Sequence, residues 1–163
     1  MNKLIQKIVV VSDSHSHHEL LDLIKDWENK IDNCEIIFIH AGDSCARYDD
    51  QLDGWLSVKG NMDYLDSLPF YRIIPLYQHK AFVTHGHLYN MNTIIKIMDE
   101  NNCDICISGH THVPSQQEKE GKYFLNPGSI ASPRFMSSKQ YMLLYIYEDG
   151  SIKIKNKLIE EIL

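Results

Sequence analysis

Short apolar runs separated by polar segments dominate the hydrophobic pattern of the chain. Lys7–Val11 and Glu35–Ile39 are nearly continuous apolar runs, as expected of strands buried on both faces of a sheet. Between them, Ser16 and Glu19 have the spacing of a capping box, which predicts a helix that begins after Ser16. The residues expected to form the apolar face of this helix are Leu20, Leu21, Leu23, Ile24 and Trp27.

The rest of the pattern predicts mostly strands. They are expected at Leu56–Val58, Tyr71–Leu76, Ala81–Thr84, Asp104–Ser108, Tyr123–Leu125, Tyr141–Tyr147 and Ile152–Lys155. Asn92 is a suitable N-cap for a helix that continues to about Glu100, and residues 46–52 form a helix or a loop. Turns are expected near Gln78-His79, at Lys119–Gly121 and at Glu148–Gly150.

The order of these elements indicates the fold class. Early strands alternate with helices, whereas the late strands follow one another, which is typical of an α/β fold. We infer a sandwich in which two mixed β-sheets pack together, with the helices outside. Because we find no linker, repeat or low-complexity segment, we expect residues 1–163 to form a single domain.

Composition restricts the expected cellular compartment and the classes of binding partner. The formal net charge is −6, and no Lys/Arg-rich run is present, which does not favour a nucleic acid partner. No segment resembles a signal peptide, and no apolar run approaches the ~20 residues of a membrane span. We therefore expect a cytoplasmic protein that does not associate with membranes.

The cysteines are Cys34, Cys45, Cys103 and Cys106, and a reducing compartment predicts that all of them are thiols. Cys103 and Cys106 have C-x-x-C spacing, which is also found in redox and zinc sites. A zinc site would need a second such pair, which the chain lacks. We therefore favour packing residues near a helix-to-strand junction.

Five short motifs each follow a predicted strand. They are Asp13-Ser-His15, Gly42-Asp43, Gly60-Asn61-Met62-Asp63, His85-Gly86 and Gly109-His110-Thr111-His112. Side chains at the carboxyl ends of strands converge on one crevice in α/β sheets. Carboxylate, imidazole and amide donors suit Mn, Fe, Zn or Ni better than Ca, and two such ions would attract a phosphate. Each motif alone occurs by chance in many chains, so the information lies in their joint order.

The five motifs together resemble the calcineurin-like metallophosphoesterase superfamily, whose signature is D-x-H, G-D, G-N-H-[ED], a G-H or H-G histidine, and G-H-x-H. The short length and the third motif, which lacks its histidine, resemble the small YfcE-type phosphodiesterases of bacteria and archaea. Asn126-Pro-Gly-Ser129 followed by Pro133-Arg134 adds to this likeness. The resemblance implies a four-layer sandwich of two mixed β-sheets flanked by helices.

The resemblance also implies a role for each motif residue. Asp13, His15 and His112 would bind one divalent metal ion, and Asn61, His85 and His110 a second. Asp43 would bridge both ions, along with a water or hydroxide that attacks phosphorus. Asp63 would orient its neighbours. The implied catalytic residues are thus Asp43, Asn61, His85 and Asp63. Mn is the favoured metal, with Ni, Fe, Zn and Mg as alternatives, and the expected partner is a small phosphoester. A homo-oligomer stays open.

One position departs from the family pattern. Met62 stands where many members have a histidine that binds phosphate or protonates the leaving group, and a thioether does neither well. We therefore predict a preference for good leaving groups, or a different general acid. By sequence proximity the candidates are His17, His18 and His87, although for each of them we favour an ordinary exposed histidine.

A few further residues have two interpretations each. Asn126–Ser129 is either a tight turn between strands or a turn that contacts the motif loops, and we favour the first. Arg134 either binds a phosphate or forms a surface salt bridge. His40 either supports the motif loops or is simply buried and neutral. Sheet packing is favoured over base stacking for Tyr141, Tyr145 and Tyr147.

Three functions are consistent with the motifs. A two-metal phosphodiesterase is the leading hypothesis, and a phosphomonoesterase or nuclease of the same superfamily is the second. The third is a non-catalytic protein-binding scaffold, like the retromer subunit that shares this fold. Because every expected ligand position holds a suitable donor, the sequence favours an enzyme.

Overall fold

Ten strands and two α-helices follow one another along residues 2–163, which are the residues that this computed structural model describes. In chain order they are β1 (Leu4–Val11), α1 (His18–Ile31), β2 (Glu35–His40), β3 (Leu56–Ser57), β4 (Tyr71–Leu76), β5 (His79–Thr84), α2 (Met91–Glu100), β6 (Ile105–Ile107), β7 (Ser115–Lys119), β8 (Lys122–Asn126), β9 (Gln140–Tyr147) and β10 (Ile152–Leu158). Short 3-10 helices lie at Asp49–Leu52 and Ile159–Glu161. No helix among these residues is long and apolar enough to cross a membrane.

The strands form two mixed five-stranded sheets. The first has the order β10-β9-β1-β2-β3, and the second has the order β4-β5-β6-β8-β7. In the first sheet β1 and β3 are parallel to β2, and in the second β5 and β8 are parallel to β6. Since parallel strands end at the same edge of a sheet, the motif loops after β1, β2 and β3 start from one edge. Those after β5 and β6 start from one edge of the second sheet.

Three apolar clusters define the layers. Ile8 and Val10 of the first sheet pack against Val83 and Ile107 of the second sheet, in the core between the sheets. On the outer faces, α1 packs on the first sheet through Leu21 and Ile24, and α2 packs on the second sheet through Ile94 and Met98. The predicted four-layer α/β sandwich with two mixed sheets is therefore confirmed.

The start of α1 differs from the predicted capping box. Ser16 has φ +71°, and its backbone N–H donates to the carbonyl of Ser44 at 2.8 Å. N-cap residues typically have negative φ, so Ser16 with its positive φ is not the N-cap of the helix. The N-cap is His17, without a side-chain hydrogen bond to the helix. The prediction failed because a contact between two loops fixes the backbone there.

The buried face of α1 also differs in one place. Trp27 was expected to face the core but is 39% exposed, whereas the neighbouring Glu28 is fully buried. The Glu28 carboxylate binds the ammonium groups of Lys7 at 2.9 Å and Lys157 at 3.3 Å, and it accepts a hydrogen bond from the hydroxyl of Tyr141. Buried charges are tolerated when they are paired in this way.

Other differences are small shifts of element ends. The N-cap of α2 is Asn90, whose side chain accepts a hydrogen bond from Thr93, so Asn92 lies inside the first turn. The turn before β5 lies one residue earlier than predicted, because His79 already pairs with Leu76. All four cysteines are free, as predicted.

Candidate metal centre

The Asp13 carboxylate at the end of β1 lies at the centre of the motif residues. Its Oδ2 atom accepts hydrogen bonds from the Ser12 hydroxyl at 2.6 Å and from the backbone N–H of His110 at 3.0 Å. Its Oδ1 atom is buried and has no hydrogen-bond partner among residues 2–163. Three imidazole nitrogens surround Oδ1, namely Nε2 of His112 at 3.1 Å, of His85 at 3.7 Å and of His15 at 3.8 Å.

The tautomers of two of these histidines follow from their hydrogen bonds. Nδ1 of His85 lies 2.8 Å from the carbonyl oxygen of Ala41, and Nδ1 of His112 lies 2.6 Å from that of Ser132. A carbonyl only accepts hydrogen bonds, so both Nδ1 atoms carry a proton. In the neutral rings both Nε2 lone pairs are then free beside Oδ1 of Asp13. A positive charge between these atoms, either a bound cation or a proton on one Nε2, makes this arrangement favourable.

The electrostatics of the pair His85 and Asp43 agree with this requirement. Nε2 of His85 lies 3.1 Å from Oδ2 of Asp43. Burial acts to lower the pKa of His85, but Asp43 and Asp13 outweigh it and raise the pKa above its ordinary value. For Asp43, burial acts to raise the pKa, but the neighbouring His85 and the hydrogen bond from the Met62 N–H outweigh it and lower the pKa. This interior therefore favours positive charge.

Two groups of side chains could each hold a metal ion. Asp13, His15 and His112 form one group, and Asp13, Asp43 and His85 form the other; in each, the ligand atoms lie within 4.8 Å of one another. The first group has the membership that the sequence implied. Asp13 belongs to both groups, whereas the resemblance implied that Asp43 is the carboxylate shared by the two metal ions. Imidazole and carboxylate donors of this kind fit divalent Mn, Fe, Zn or Ni.

The remaining two expected ligands lie next to each other. Oδ1 of Asn61 lies 3.2 Å from Nδ1 of His110, and the rings of His110 and His85 have centroids 5.1 Å apart. Both Asn61 and His110 are exposed, unlike the buried pair Asp13 and His85. The structure thus brings all seven candidate ligands together, with the second set open to solvent on one side.

Asp63 holds the loops that carry the candidate ligands. Its Oδ2 atom accepts hydrogen bonds from the backbone N–H groups of Gly60 at 2.7 Å and Asp43 at 2.9 Å. Its Oδ1 atom accepts one from the N–H of Cys45 at 2.8 Å. Since Asp63 is buried and faces these loops, its position fits the orienting role that the resemblance implied.

The backbone around the site explains why the motifs contain glycine. A Cβ atom at Gly60 would lie 2.1 Å from Oδ1 of Asp43, and one at Gly109 would lie 1.9 Å from the Ser12 hydroxyl oxygen. Both are closer than real contacts, so the loops approach each other only because these residues lack a side chain. Several candidate ligands also have positive φ, which is uncommon outside glycine and clusters at functional sites: Asp13, His15, Asp43, His110 and His112.

The segment after β8 supports the same loops. The Asn126 side-chain NH2 donates to the carbonyl of Gly109 at 2.9 Å, and the Ser129 hydroxyl donates to the carbonyl of Asp13 at 2.7 Å. Asn126–Ser129 is therefore a turn that contacts the motif loops, which was the less favoured interpretation. Sequence reasoning missed Ser12 and Ser132. Ser132 acts through its backbone carbonyl, for which no sequence signal exists.

Histidines outside the candidate ligands differ in their surroundings. The His87 ring lies 5.4 Å from that of His85 and 6.2 Å from that of His110, and burial lowers its pKa. His17 is exposed and pairs with the Glu19 carboxylate instead. Among the three alternative acids, His87 has observed ring contacts to the candidate ligands, but its lowered pKa disfavours the protonated form that a general acid needs.

Further residues near the site now have definite surroundings. His40 is fully buried, which lowers its pKa to about 4, so it is neutral, and its Nε2 hydrogen-bonds to the Ser14 hydroxyl at 2.8 Å. Arg134 is exposed, and no ion pair of its side chain occurs in the described part of the chain. Burial raises the pKa of the Cys45 thiol to about 11, so it is protonated. Its sulfur lies 3.8 Å from Nδ1 of His15.

Comparison with known proteins gives a consistent family assignment. A family model described as the calcineurin-like phosphoesterase superfamily domain matches residues 7–149. "Probable metallophosphoesterase YsnB" of Bacillus subtilis is 30% identical over 150 residues, which cover 88% of this chain and 86% of that protein. Phosphodiesterase YfcE of Escherichia coli is 26% identical over 98 residues, covering 55% of this chain and 51% of YfcE.

Solved structures with the same fold include one described as a predicted phosphoesterase and one of Vps29. A conserved uncharacterized protein of Streptococcus pneumoniae, described as a predicted phosphoesterase, is 33% identical with a TM-score of 0.82, covering 95% of this chain and 90% of that chain. Vps29 of Entamoeba histolytica, solved in complex with Zn²⁺, is 25% identical with a TM-score of 0.67. That match covers 94% of this chain and 99% of that chain.

Proposed function

Because the chain belongs to the calcineurin-like phosphoesterase superfamily, we propose that it is a phosphodiesterase whose centre binds two divalent metal ions. Metal-dependent hydrolysis of phosphoesters is the activity for which this family is named. The finer assignment to phosphodiesters is supported by the likeness to YfcE, which is named a phosphodiesterase. The expected substrate is a small phosphoester in the cytoplasm.

One observation carries the proposal. Oδ1 of Asp13 is buried and has no hydrogen-bond partner within residues 2–163, although the lone pairs of His85 and His112 lie beside it. Leaving a buried charged oxygen unpaired is costly. A divalent cation between these atoms would remove that cost, and it is the kind of ligand that this donor set accepts. The candidate ligands therefore fit the metal that the family requires.

The protein residues have separable roles in this proposal. Asp13, His15 and His112 would hold one ion, and Asp43, His85, Asn61 and His110 would complete the second set. When bound, such ions polarise a phosphoryl oxygen and lower the pKa of a water molecule. The carbonyls of Ala41 and Ser132 keep the protons of His85 and His112 on Nδ1, which leaves Nε2 free to bind. The Asp63 carboxylate holds Asp43 in place by accepting a hydrogen bond from the backbone N–H of Asp43.

The reaction is hydrolysis of a P–O bond. Water adds to phosphorus, the ester bond to the leaving alcohol breaks, and the alcohol oxygen takes up a proton. Met62 cannot supply that proton, since a thioether carries none. We therefore propose that substrates with good leaving groups are preferred. Among the divalent ions that this donor set accepts, we propose Mn as the metal that supports the highest rate.

A substrate panel tests the proposal. Metal-stripped protein is assayed on p-nitrophenyl monoesters and diesters, on cyclic nucleotides and on DNA, with Mn, Ni, Zn or Mg added in turn. We expect the diester to be hydrolysed fastest, in a metal-dependent way, and Asp43→Asn to abolish the activity. Faster turnover of a monoester or of DNA would instead favour another phosphoesterase of the superfamily.

The likeness to Vps29 favours a second candidate, a protein-binding scaffold without catalysis. The complete set of candidate ligands argues against this function, since a scaffold has no need of an unpaired buried carboxylate. A protein that binds metal but leaves every phosphoester of the panel intact would favour the scaffold.

A further inference from the structure

A cleft lies beside the candidate metal centre on the side of Met62. Its volume is about 420 Å³, which is within the range of small-molecule sites. Its lining includes the side chains of Arg47, Met62, Tyr64 and Leu65. The expected ligands take no part in its lining, so the cleft is additional to the centre.

The cleft is continuous with the centre through two residues. The backbone N–H of Met62 donates to Oδ1 of Asp43 at 2.8 Å, while the Met62 side chain lines the cleft and is 46% exposed. Cys45, which also lines the cleft, has its sulfur 3.8 Å from Nδ1 of His15. A phosphoester bound at Asp43 and His15 would thus have one substituent next to the cleft.

Three of the side chains that line the cleft are of kinds that interact favourably with aromatic groups. The thioether of Met62 makes favourable contacts with aromatic rings, and the ring of Tyr64 forms offset or edge-to-face pairs with them. The planar guanidinium of Arg47 stacks on aromatic faces, and no acidic side chain pairs with it in residues 2–163. Tyr64 is 85% exposed, so its ring is available to a ligand.

We propose that this cleft binds an aromatic substituent of the phosphoester and so makes the enzyme selective for aryl or nucleoside-like esters over alkyl esters. The assignment rests on the proposed phosphoesterase function. Met62, Tyr64 and Arg47 are then specificity-determining residues, and the residue that replaces the family histidine contributes to substrate binding instead.

Binding of three simple phosphates tests the assignment. Methyl, cyclohexyl and phenyl phosphate are titrated by calorimetry into Mn-loaded protein. All of them offer the same phosphate to the centre, whereas cyclohexyl matches phenyl in size without being aromatic. We expect phenyl phosphate to bind about tenfold more tightly than methyl phosphate and several-fold more tightly than cyclohexyl phosphate. Tyr64→Ala and Arg47→Lys should each reduce the preference for phenyl over cyclohexyl.

The matched control is Tyr71→Ala, which removes a half-exposed ring on β4 that does not line the cleft. It should leave all three affinities unchanged, and thermal unfolding checks that each variant folds. Equal affinities for the three phosphates, or an aromatic preference that survives Tyr64→Ala and Arg47→Lys, would overturn the cleft assignment alone. Failure of methyl phosphate to bind would overturn the phosphoester centre, and the cleft assignment with it.

Discussion

Oδ2 of Asp63 accepts a hydrogen bond from the backbone N–H of Asp43 at 2.9 Å. The same oxygen accepts a second hydrogen bond from Gly60, and Oδ1 accepts one from Cys45. One buried carboxylate thus holds the G-D loop against the G-N loop, and Asp63 belongs to neither of the two candidate metal groups.

Asp63→Asn should therefore weaken the centre without removing a ligand. The amide keeps one acceptor oxygen and places an NH2 group against backbone N–H donors, so the loop of Asp43 shifts. Changes in residues that orient metal ligands typically cause a 10–100-fold loss in metal affinity or activity, and we expect a loss in that range. The measurements are the Mn affinity and, separately, kcat and KM on a p-nitrophenyl diester.

Asp66→Asn is the matched control, because it removes the same charge three residues later, at an exposed position. It should behave as the wild type. If Asp63→Asn bound Mn and turned over as well as Asp66→Asn, the positioning role of Asp63 would be wrong.

Gly60→Ala tests the close approach of the two loops. Its Cβ would lie 2.1 Å from Oδ1 and 2.6 Å from the backbone nitrogen of Asp43, so Asp43 must move. Overpacking of this kind lowers the free energy of unfolding by about 1–3 kcal/mol, and we expect Mn affinity to fall as well. Urea unfolding and Mn titration measure the two effects.

Gly121→Ala provides the comparison for Gly60. Gly121 has φ +76° but no heavy atom within 4 Å of the added Cβ, so its change should reduce stability through backbone strain alone, by about 1–2 kcal/mol. Mn affinity should not change. Unaltered Mn affinity in Gly60→Ala would show that the loops tolerate separation.

The leaving group should control the rate because Met62 cannot donate a proton. We expect kcat/KM on a series of diesters to fall steeply as the pKa of the leaving alcohol rises. Met62→His should make this dependence shallower, since general acid help is typically worth ~10²–10⁴-fold for poor leaving groups. A shallow dependence in the wild type would indicate that another acid acts, and His87→Gln would then be the variant to assay.

Stability should depend on pH through His40. Its pKa is about 4 in the folded protein, because burial disfavours the charged ring, and about 6.5 in an unfolded chain. The unfolded state therefore binds more protons between these values. The stabilisation is fully present above pH 6.5 and is lost as the pH falls towards 4. The difference in pKa corresponds to roughly 3 kcal/mol.

Urea unfolding of the metal-free protein between pH 4 and 7 measures this effect. Asp63, Asp43, His85 and His18 also influence the charge of His40, so the wild type is compared with His40→Asn, which retains an acceptor for the Gly42 N–H. The variant should show a smaller dependence on pH. Equal slopes for the two proteins would mean that His40 is not held neutral by the fold.

Much of the architecture could be predicted because buried strands have a simple signature. Lys7–Val11 and Glu35–Ile39 are apolar runs that match β1 and β2, and the motif after each strand lies where a parallel sheet places it. The joint order of the motifs then indicated the family, and the comparisons confirm it. The local hydrophobic pattern was sufficient to predict strands that are buried on both faces of a sheet.

The parts that could not be predicted depend on contacts distant in sequence. Ser16 fits an N-cap by spacing, but its loop is fixed by Ser44, 28 residues away. Trp27 is more apolar than Glu28, yet Glu28 is buried because the ammonium groups of Lys7 and Lys157 balance the charge of its carboxylate. Likewise, the position of Asp13 in both candidate groups depends on Asp43, His85 and His112, which come from three other loops.

The two-metal phosphodiesterase proposal is tested by adding Mn stepwise to metal-free protein while bound Mn and the hydrolysis of bis(p-nitrophenyl) phosphate are measured together. We expect activity to rise with bound Mn and to reach its plateau at two ions per chain. In Asp13→Asn, which alters the carboxylate common to both groups, both quantities should fall. Full activity without Mn, or a plateau of binding at two ions with no hydrolysis at all, would contradict the two-metal proposal.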